Sequence, residues 1–216
     1  MNLQDHPITI GLIAANVIFS FVGFSNAALV DKTIMWPYRV ARENQYIRFI
    51  TSGFLHADYL HLFFNMFTLF FFGTALEVYM DYYGLGGNIA YLLLYFAGLI
   101  ASDIPSYIKH KNDQNYRSLG ASGAVSAVVF ATIVFNPWSS IYIYGAIKIS
   151  AALYAVLYIA YCVYMGKKGG DNINHDAHLW GSLFGLAFIL ALIAFMQPGL
   201  FTGIMDELKN PSLFGR

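Results

Sequence analysis

Charged residues punctuate this chain at wide intervals, and the stretches between them are apolar. Between Asp5 and Asp31 lie 25 residues without Asp, Glu, Lys or Arg; between Asp58 and Glu77 lie 18, and between Asp81 and Asp103, 21. Arg117 to Lys148 leaves 30, Lys148 to Lys167 leaves 18, and Asp176 to Asp206 leaves 29. A helix covers the hydrocarbon core of a bilayer with about 20 apolar residues, in a range of about 17–25. The six gaps therefore predict six spans, at about residues 8–30, 58–80, 88–108, 119–136, 149–165 and 177–196, with a tail over 197–216. The fourth gap is too long for one helix, and "NPWSS" (Asn136 to Ser140) breaks it. Proline cannot continue the hydrogen-bond ladder, so this span is expected to stop near Phe135. Runs of such length are helical, since barrel strands alternate polar and apolar residues over about ten positions. The first run has no basic stretch before it and no evident small-residue cleavage site after it, so it reads as a retained helix. With no internal repeat and no low-complexity tract, the expectation is one all-α, polytopic membrane domain over residues 1–216.

Composition points the same way. The chain is 58% hydrophobic and 11% charged, whereas a soluble domain carries about 25% charged residues. So few charges cannot cover a water-facing surface. Formal net charge is zero, which gives no ground for a nucleic-acid partner. The single cysteine, Cys162, lies in an apolar stretch, has no internal disulfide partner and reads as an inert core thiol.

Polar side chains within spans are costly and tend to mark function or helix contact. In "FLHADYLHLFFNMFTLFFFGTALE" (Phe54 to Glu77), His61 and Asn65 are four apart on one helix face, with Thr68 a turn further. In "LGASGAVSAVVFA" (Leu119 to Ala131), Ser122 lies between Gly120 and Gly123, and Ser126 follows four residues on. In "NHDAHLWGSLFG" (Asn174 to Gly185), His178, Gly181 and Gly185 share a face, while His56 and His175 sit near span entrances. Each has an ordinary reading. A membrane serine commonly bonds its own i−4 carbonyl or a neighbouring helix, and Gly181-x-x-x-Gly185 is a packing motif. His61 with Asn65 reads as interhelical glue, and His56 and His175 as interfacial or packing residues.

Taken together, the same residues outline chemistry. A serine becomes a nucleophile when a base, usually neutral imidazole, removes its proton. His178 is the candidate, because the glycines on its face allow close helix approach and Gly123 clears the matching surface. The negative oxygen that develops on an attacked carbonyl needs donors. His61 and Asn65 both donate, and Ser122 lies near a helix start, where free backbone N–H groups favour an anion. That is an acyl-transfer site in outline. "GASGA" is not the G-x-S-x-G nucleophile elbow, since Ala124 takes the last glycine position and no strand precedes it. No H-E-x-x-H occurs, so a zinc protease lacks an obvious ligand set, and no paired Asp residues lie deep in two spans. No metal, nucleotide or other cofactor is implied.

At this point the chain resembles the rhomboid intramembrane serine proteases of the bacterial six-helix type. "YIRFITSGFLHADYLHLFFN" (Tyr46 to Asn65) is similar to the family's approach to its second helix, with the H-x-x-x-N pair at His61 and Asn65, and Gly73 and Glu77 repeat its G-x-x-x-E. "GASG" resembles the family's G-x-S-G at Ser122, and "HDAHLWGSLFG" its A-H-x-x-G-x-x-x-G helix at His178. The resemblance implies a six-helix bundle with a membrane-associated first loop and a Ser122–His178 dyad without a third acid. It also implies an oxyanion site from His61, Asn65 and the Ser122 N–H, with Gly120, Gly123, Gly181, Gly185, His56 and Glu77 in support. Substrates would be transmembrane helices entering sideways past span five. There are departures. Relatives often carry, four residues after the serine, an aromatic that stacks on the imidazole; here that position is Ser126. The aromatic–arginine pair of the family's first loop has only a loose echo in "WPYR", Trp36 to Arg39.

Two rival classes stay open: a rhomboid-like protein that binds membrane clients without cutting them, and a small transporter or channel. The loop "MGKKGGDNINH" (Met165 to His175) reads either as a flexible cap or as a plain connector. The resemblance implies a bacterial inner-membrane protein whose active site opens to the extracytoplasmic side. Yet nine of the 12 Lys and Arg residues would then lie outside, against the positive-inside rule.

Overall fold

The structure, a computed structural model, describes residues 5–143 and 146–215. It is a helical bundle built from α1 (Pro7–Ser25), α2 (Tyr59–Tyr82), α3 (Gly87–His110), α4 (Ser122–Phe135), α5 (Ala151–Lys168) and α6 (His175–Met196), followed by α7 (Pro198–Leu208). By length and apolar character, α1, α2, α3 and α6 can each cross a membrane. Their outer faces carry large exposed apolar side chains, among them Ile18, Phe63, Phe67 and Ile89. The chain is a polytopic membrane protein.

The core of the bundle is α4. Every residue from Gly123 to Val134 is buried, and small residues make this possible. Gly98 of α3 lies against Ala124 and Ala127, and Ser102 of α3 lies against Gly123. On the other side Gly181 and Gly185 of α6 sit directly on the backbone of Gly123 and Ala127, where any Cβ would collide. From α2, a π-turn at Leu69–Gly73 leaves the Phe72 carbonyl to accept from Thr132 Oγ1 at 3.1 Å. At 14 residues, α4 is about 21 Å long, well short of an approximately 30 Å hydrocarbon core. Surrounded by other helices, it has no need to match the bilayer.

α1 is attached through polar side chains. Its buried stripe is Thr9, Leu12, Asn16, Ser20 and Gly23. The Glu77 carboxylate of α2 accepts from the N–H of Ile8 (2.9 Å) and of Thr9 (3.0 Å) and from Thr9 Oγ1 (2.7 Å), capping the positive end of α1. Asn16 Nδ2 donates to Tyr95 Oη at 2.9 Å, and Ser20 Oγ to the Phe54 carbonyl at 3.0 Å.

Two features differ from the apolar pattern. The first span ends at Ser25 rather than near residue 30, because the Asn26 side chain accepts from the Leu29 N–H at 2.9 Å and starts a separate short helix, Ala27–Thr33. The bundle is helical as expected, with one local exception. The stretch after "NPW" contains an antiparallel hairpin, β1 (Ser140–Ile143) with β2 (Ile147–Ser150), pairing Ser140 with Ser150 and Ile143 with Ile147. The isoleucines of these strands favour extended backbone, a local preference hidden inside one long uncharged gap. The first loop is folded: buried Arg48 donates to the carbonyls of Asp31 (2.8 Å) and Ile34 (2.7 Å), and Met35 bridges to Ser118 of the third loop.

Candidate active site

Ser122 owes its position to the turn before it. Gly120 adopts φ +124, a backbone that side chains rarely tolerate, and its N–H donates to the Ser52 carbonyl at 3.0 Å. Ser122 is then the first residue of α4, so its N–H has no partner within the helix. A Cβ on Gly120 would lie 2.8 Å from His61 Cε1, 3.0 Å from His61 Nε2 and 3.8 Å from Ser122 Oγ. Its absence leaves room for the His61 ring beside the serine.

His61 and Asn65 come from the first turns of α2. The Asp58 carboxylate caps that helix by accepting from the His61 N–H at 2.7 Å. The Ala57 N–H donates to His61 Nδ1 at 3.4 Å. This assigns the ring proton to Nε2, the nitrogen beside Gly120, and makes it a donor on the serine's side. Asn65 Nδ2 gives one hydrogen to the His61 carbonyl at 2.9 Å and keeps a second. His56 stands behind His61, ring edge to ring at 5.0 Å, with its Nδ1 paired to Ser20 Oγ at 2.8 Å. Burial, and then the neighbouring His61, push His56 down to about 3, so it stays neutral at physiological pH.

His178 lies in the first turn of α6, on the helix that Gly181 and Gly185 hold against α4. The Tyr158 ring of α5 lies nearly parallel to the imidazole, 6.3 Å between centroids and 20° between planes. The Tyr158 hydroxyl shares a hydrogen bond with Ser126 at 3.2 Å. Position 126 thus holds a serine that engages an aromatic from another helix. Tyr158 is one of several tyrosines on α5, and nothing in its own sequence context singles it out. The only signal was the small residue at 126.

Ser122, His178, His61 and Asn65 all line one cavity of about 1060 Å³, with Ser126, Tyr154, Tyr158 and loop residues Asp171 to Asn174. Among the described residues, Ser122 Oγ makes no hydrogen bond to His178; both side chains open onto the same space. A second cavity of about 10 Å³, lined by Ser102, Asp103, Ser118, Ser122 and Asn174, is large enough for about one water molecule. Glu77 does not line either cavity; it caps α1.

A model of the Rhomboid domain matches residues 43–195. The putative rhomboid protease YdcA of Bacillus subtilis (strain 168) is 30% identical over 197 residues, 88% of this chain and 90% of that protein. RHOMBOID-like protein 12, mitochondrial, of Arabidopsis thaliana is 28% identical over 193 residues, 83% of this chain and 56% of that protein. The rhomboid protease GlpG of Enterobacter sp. (strain 638) is 25% identical over 193 residues, 86% of this chain and 63% of that protein. The chain therefore spans just over half the length of the Arabidopsis relative. Because the matched stretch runs from the first loop to the last turn of α6, it contains every helix that borders the cavity, and the chain belongs to the rhomboid family.

Proposed function

We propose that this protein is an intramembrane serine endopeptidase acting on transmembrane-helix substrates through Ser122 and His178. The observation that carries the reading is the convergence of Ser122, His178, His61 and Asn65, from three helices of a membrane bundle, on one cavity. His178 takes the Ser122 proton as Oγ attacks a substrate backbone carbonyl. The resulting oxyanion is held by the Ser122 N–H, by His61 Nε2–H and by the second Asn65 Nδ2 hydrogen. His178 then gives its proton to the departing amine, leaving an acyl-enzyme. Water attacks the ester as His178 takes its proton; the acyl–Oγ bond then breaks, His178 returns the proton to Ser122 Oγ, and the new carboxyl terminus leaves. The polar, water-sized cavity beside Ser122 suits the storage of that water.

Tyr158 keeps the His178 ring in plane for both transfers. Apo sites often show long catalytic contacts that tighten on substrate binding, and the Ser122–His178 contact belongs to that class. Substrate enters between α2 and α5, because both contribute residues to the cavity wall (Phe64 and Thr68, Tyr154 and Tyr158) while α5 leans chiefly on α6 and α4.

The test is labelling of the purified protein with a fluorophosphonate. Wild type is expected to label and Ser122→Ala not to. An unlabelled wild type of normal melting behaviour would leave the client-binding or channel readings in its place.

A further inference from the structure

The described residues bring together one set of metal-ligating side chains that the proposed reaction does not use as a set. Cys162 of α5 and His175 and His178 of α6 each offer a ligand atom, all within 4.8 Å of one another. No zinc motif marks them in the sequence. His175 and His178 share a face of α6 one turn apart, and the packing of α5 on α6 brings Cys162 to them.

A second observation points to a ligand. His175 is 3% exposed and its Nδ1 is buried without a hydrogen-bond partner. Its Nε2 meets the Asp171 carboxylate at 3.0 and 3.2 Å. A histidine held through one ring nitrogen by a carboxylate, with the other nitrogen unengaged, is arranged as metal-binding histidines are. One thiolate and two imidazoles select a borderline-soft divalent ion of the zinc class. Zinc bond lengths with tetrahedral angles set ligand atoms about 3.3–3.6 Å apart, so side-chain rotation has to close about 1 Å.

We propose that Cys162, His175 and His178 form an inhibitory zinc-class site, oriented by Asp171, that switches off the serine chemistry by occupying its base. Neutral imidazole has one lone pair. An ion on the His178 nitrogen nearer Ser122 blocks proton acceptance directly. An ion on the other nitrogen fixes the ring proton on the nearer one, with the same result. Binding releases the Cys162 thiol proton to solvent, and no electrons are transferred. The ion also ties α5, one wall of the proposed substrate entry, to α6. Inhibition rests on the proposed Ser122–His178 dyad; binding does not.

The experiment uses the full chain in detergent, as wild type and as Ser122→Ala, titrated with cobalt(II) and followed by absorption. The expected result is a thiolate-to-cobalt charge-transfer band in both, saturating at one ion per chain and displaced by zinc. Cys162→Ser is expected to lose the band. Asp171→Asn, a change in an exposed loop that spares the core, is expected to weaken binding about 10- to 100-fold. No band in wild type, or a band that survives in Cys162→Ser, overturns the site, whatever the activity. In parallel, zinc is expected to slow fluorophosphonate labelling of wild type, with Cys162→Ala needing at least about tenfold more zinc for half-inhibition, at the low end of what losing a ligand-shell group costs. Cobalt binding with labelling untouched by zinc overturns the inhibitory role. A metal-free wild type that fails to label refutes the protease reading, while the cobalt spectrum still decides the site.

Discussion

Asn65 and His61 are the residues on which the proposed oxyanion site can be graded. Asn65→Ala removes one donor of three, and losing one such donor typically costs about a hundred- to a thousandfold in rate, or about 3–4 kcal/mol. Residual cleavage of a transmembrane substrate is therefore expected, whereas Ser122→Ala and His178→Ala fall to the limit of detection. His61→Ala is expected at or below Asn65→Ala, because Leu60 and Leu62 beside it in the chain cannot take over as donors. Turnover measured on variants with wild-type melting behaviour checks the order, and an Asn65→Ala protein as inactive as Ser122→Ala contradicts the donor role. Residues at this scale were legible in sequence where their partners are close along the chain. His61 and Asn65 declare themselves by a four-residue spacing on one helix. Tyr158 does not, since the contacts that bring it to the site, with Ser126 and His178, are to other helices and only packing makes them.

Between helices, the two contacts of α6 make separate predictions. Gly181 lies on the Gly123 carbonyl, so Gly181→Leu must push α6 away from α4 and carry His178 with it. Overpacking of this kind costs about 1–3 kcal/mol. A lowered melting temperature and weaker fluorophosphonate labelling are expected together; full labelling would show that the contact does not hold the dyad. Tyr158 tests the opposite side. An aromatic stack is worth about 0.5–1.5 kcal/mol, so Tyr158→Ala is expected to lower kcat about two- to tenfold with KM little changed. Tyr158→Phe keeps the ring and gives up the hydroxyl's bonds to Ser126 (3.2 Å) and Cys162, and is expected to stay near wild type. Equal loss in both variants would assign the effect to the hydroxyl. The apolar gaps read as helices because twenty uncharged residues in lipid have few alternatives to a helix. They did not reveal the break at Asn26 or the hairpin after Trp138, since both arise from short-range backbone preferences within uncharged sequence.

For the whole molecule, orientation sets the sign of everything the site can reach. We expect the N-terminus and the C-terminal tail in the cytoplasm, with the cavity opening outward, although nine of 12 Lys and Arg then lie outside. Several of those cations are occupied in folding the loops on one another. Arg39 pairs with Asp31 at 3.1 Å, Arg42 donates to the Lys111 carbonyl at 2.8 Å, and Arg39 and Arg117 lie over the Trp36 ring at 4.1 and 3.8 Å. A charge spent on loop structure is a poor guide to sidedness. An active periplasmic phosphatase fused after the C-terminal tail would show the opposite orientation. The polar stripe of α1 has a further consequence, which concerns assembly. A 19-residue helix of mean hydropathy 2.0 is long and apolar enough to cross a membrane by itself, yet what docks it is a seam of directed bonds from Thr9, Asn16 and Ser20. Such bonds discriminate among partners where lipid and side chains are equally greasy. That seam predicts that the protein can be assembled from two pieces. Residues 1–44 and 45–216, expressed as separate fragments cut beside exposed Asn44, are expected to reunite in the membrane and restore labelling. Asn16→Leu in the small fragment is expected to abolish that reunion without impairing its insertion.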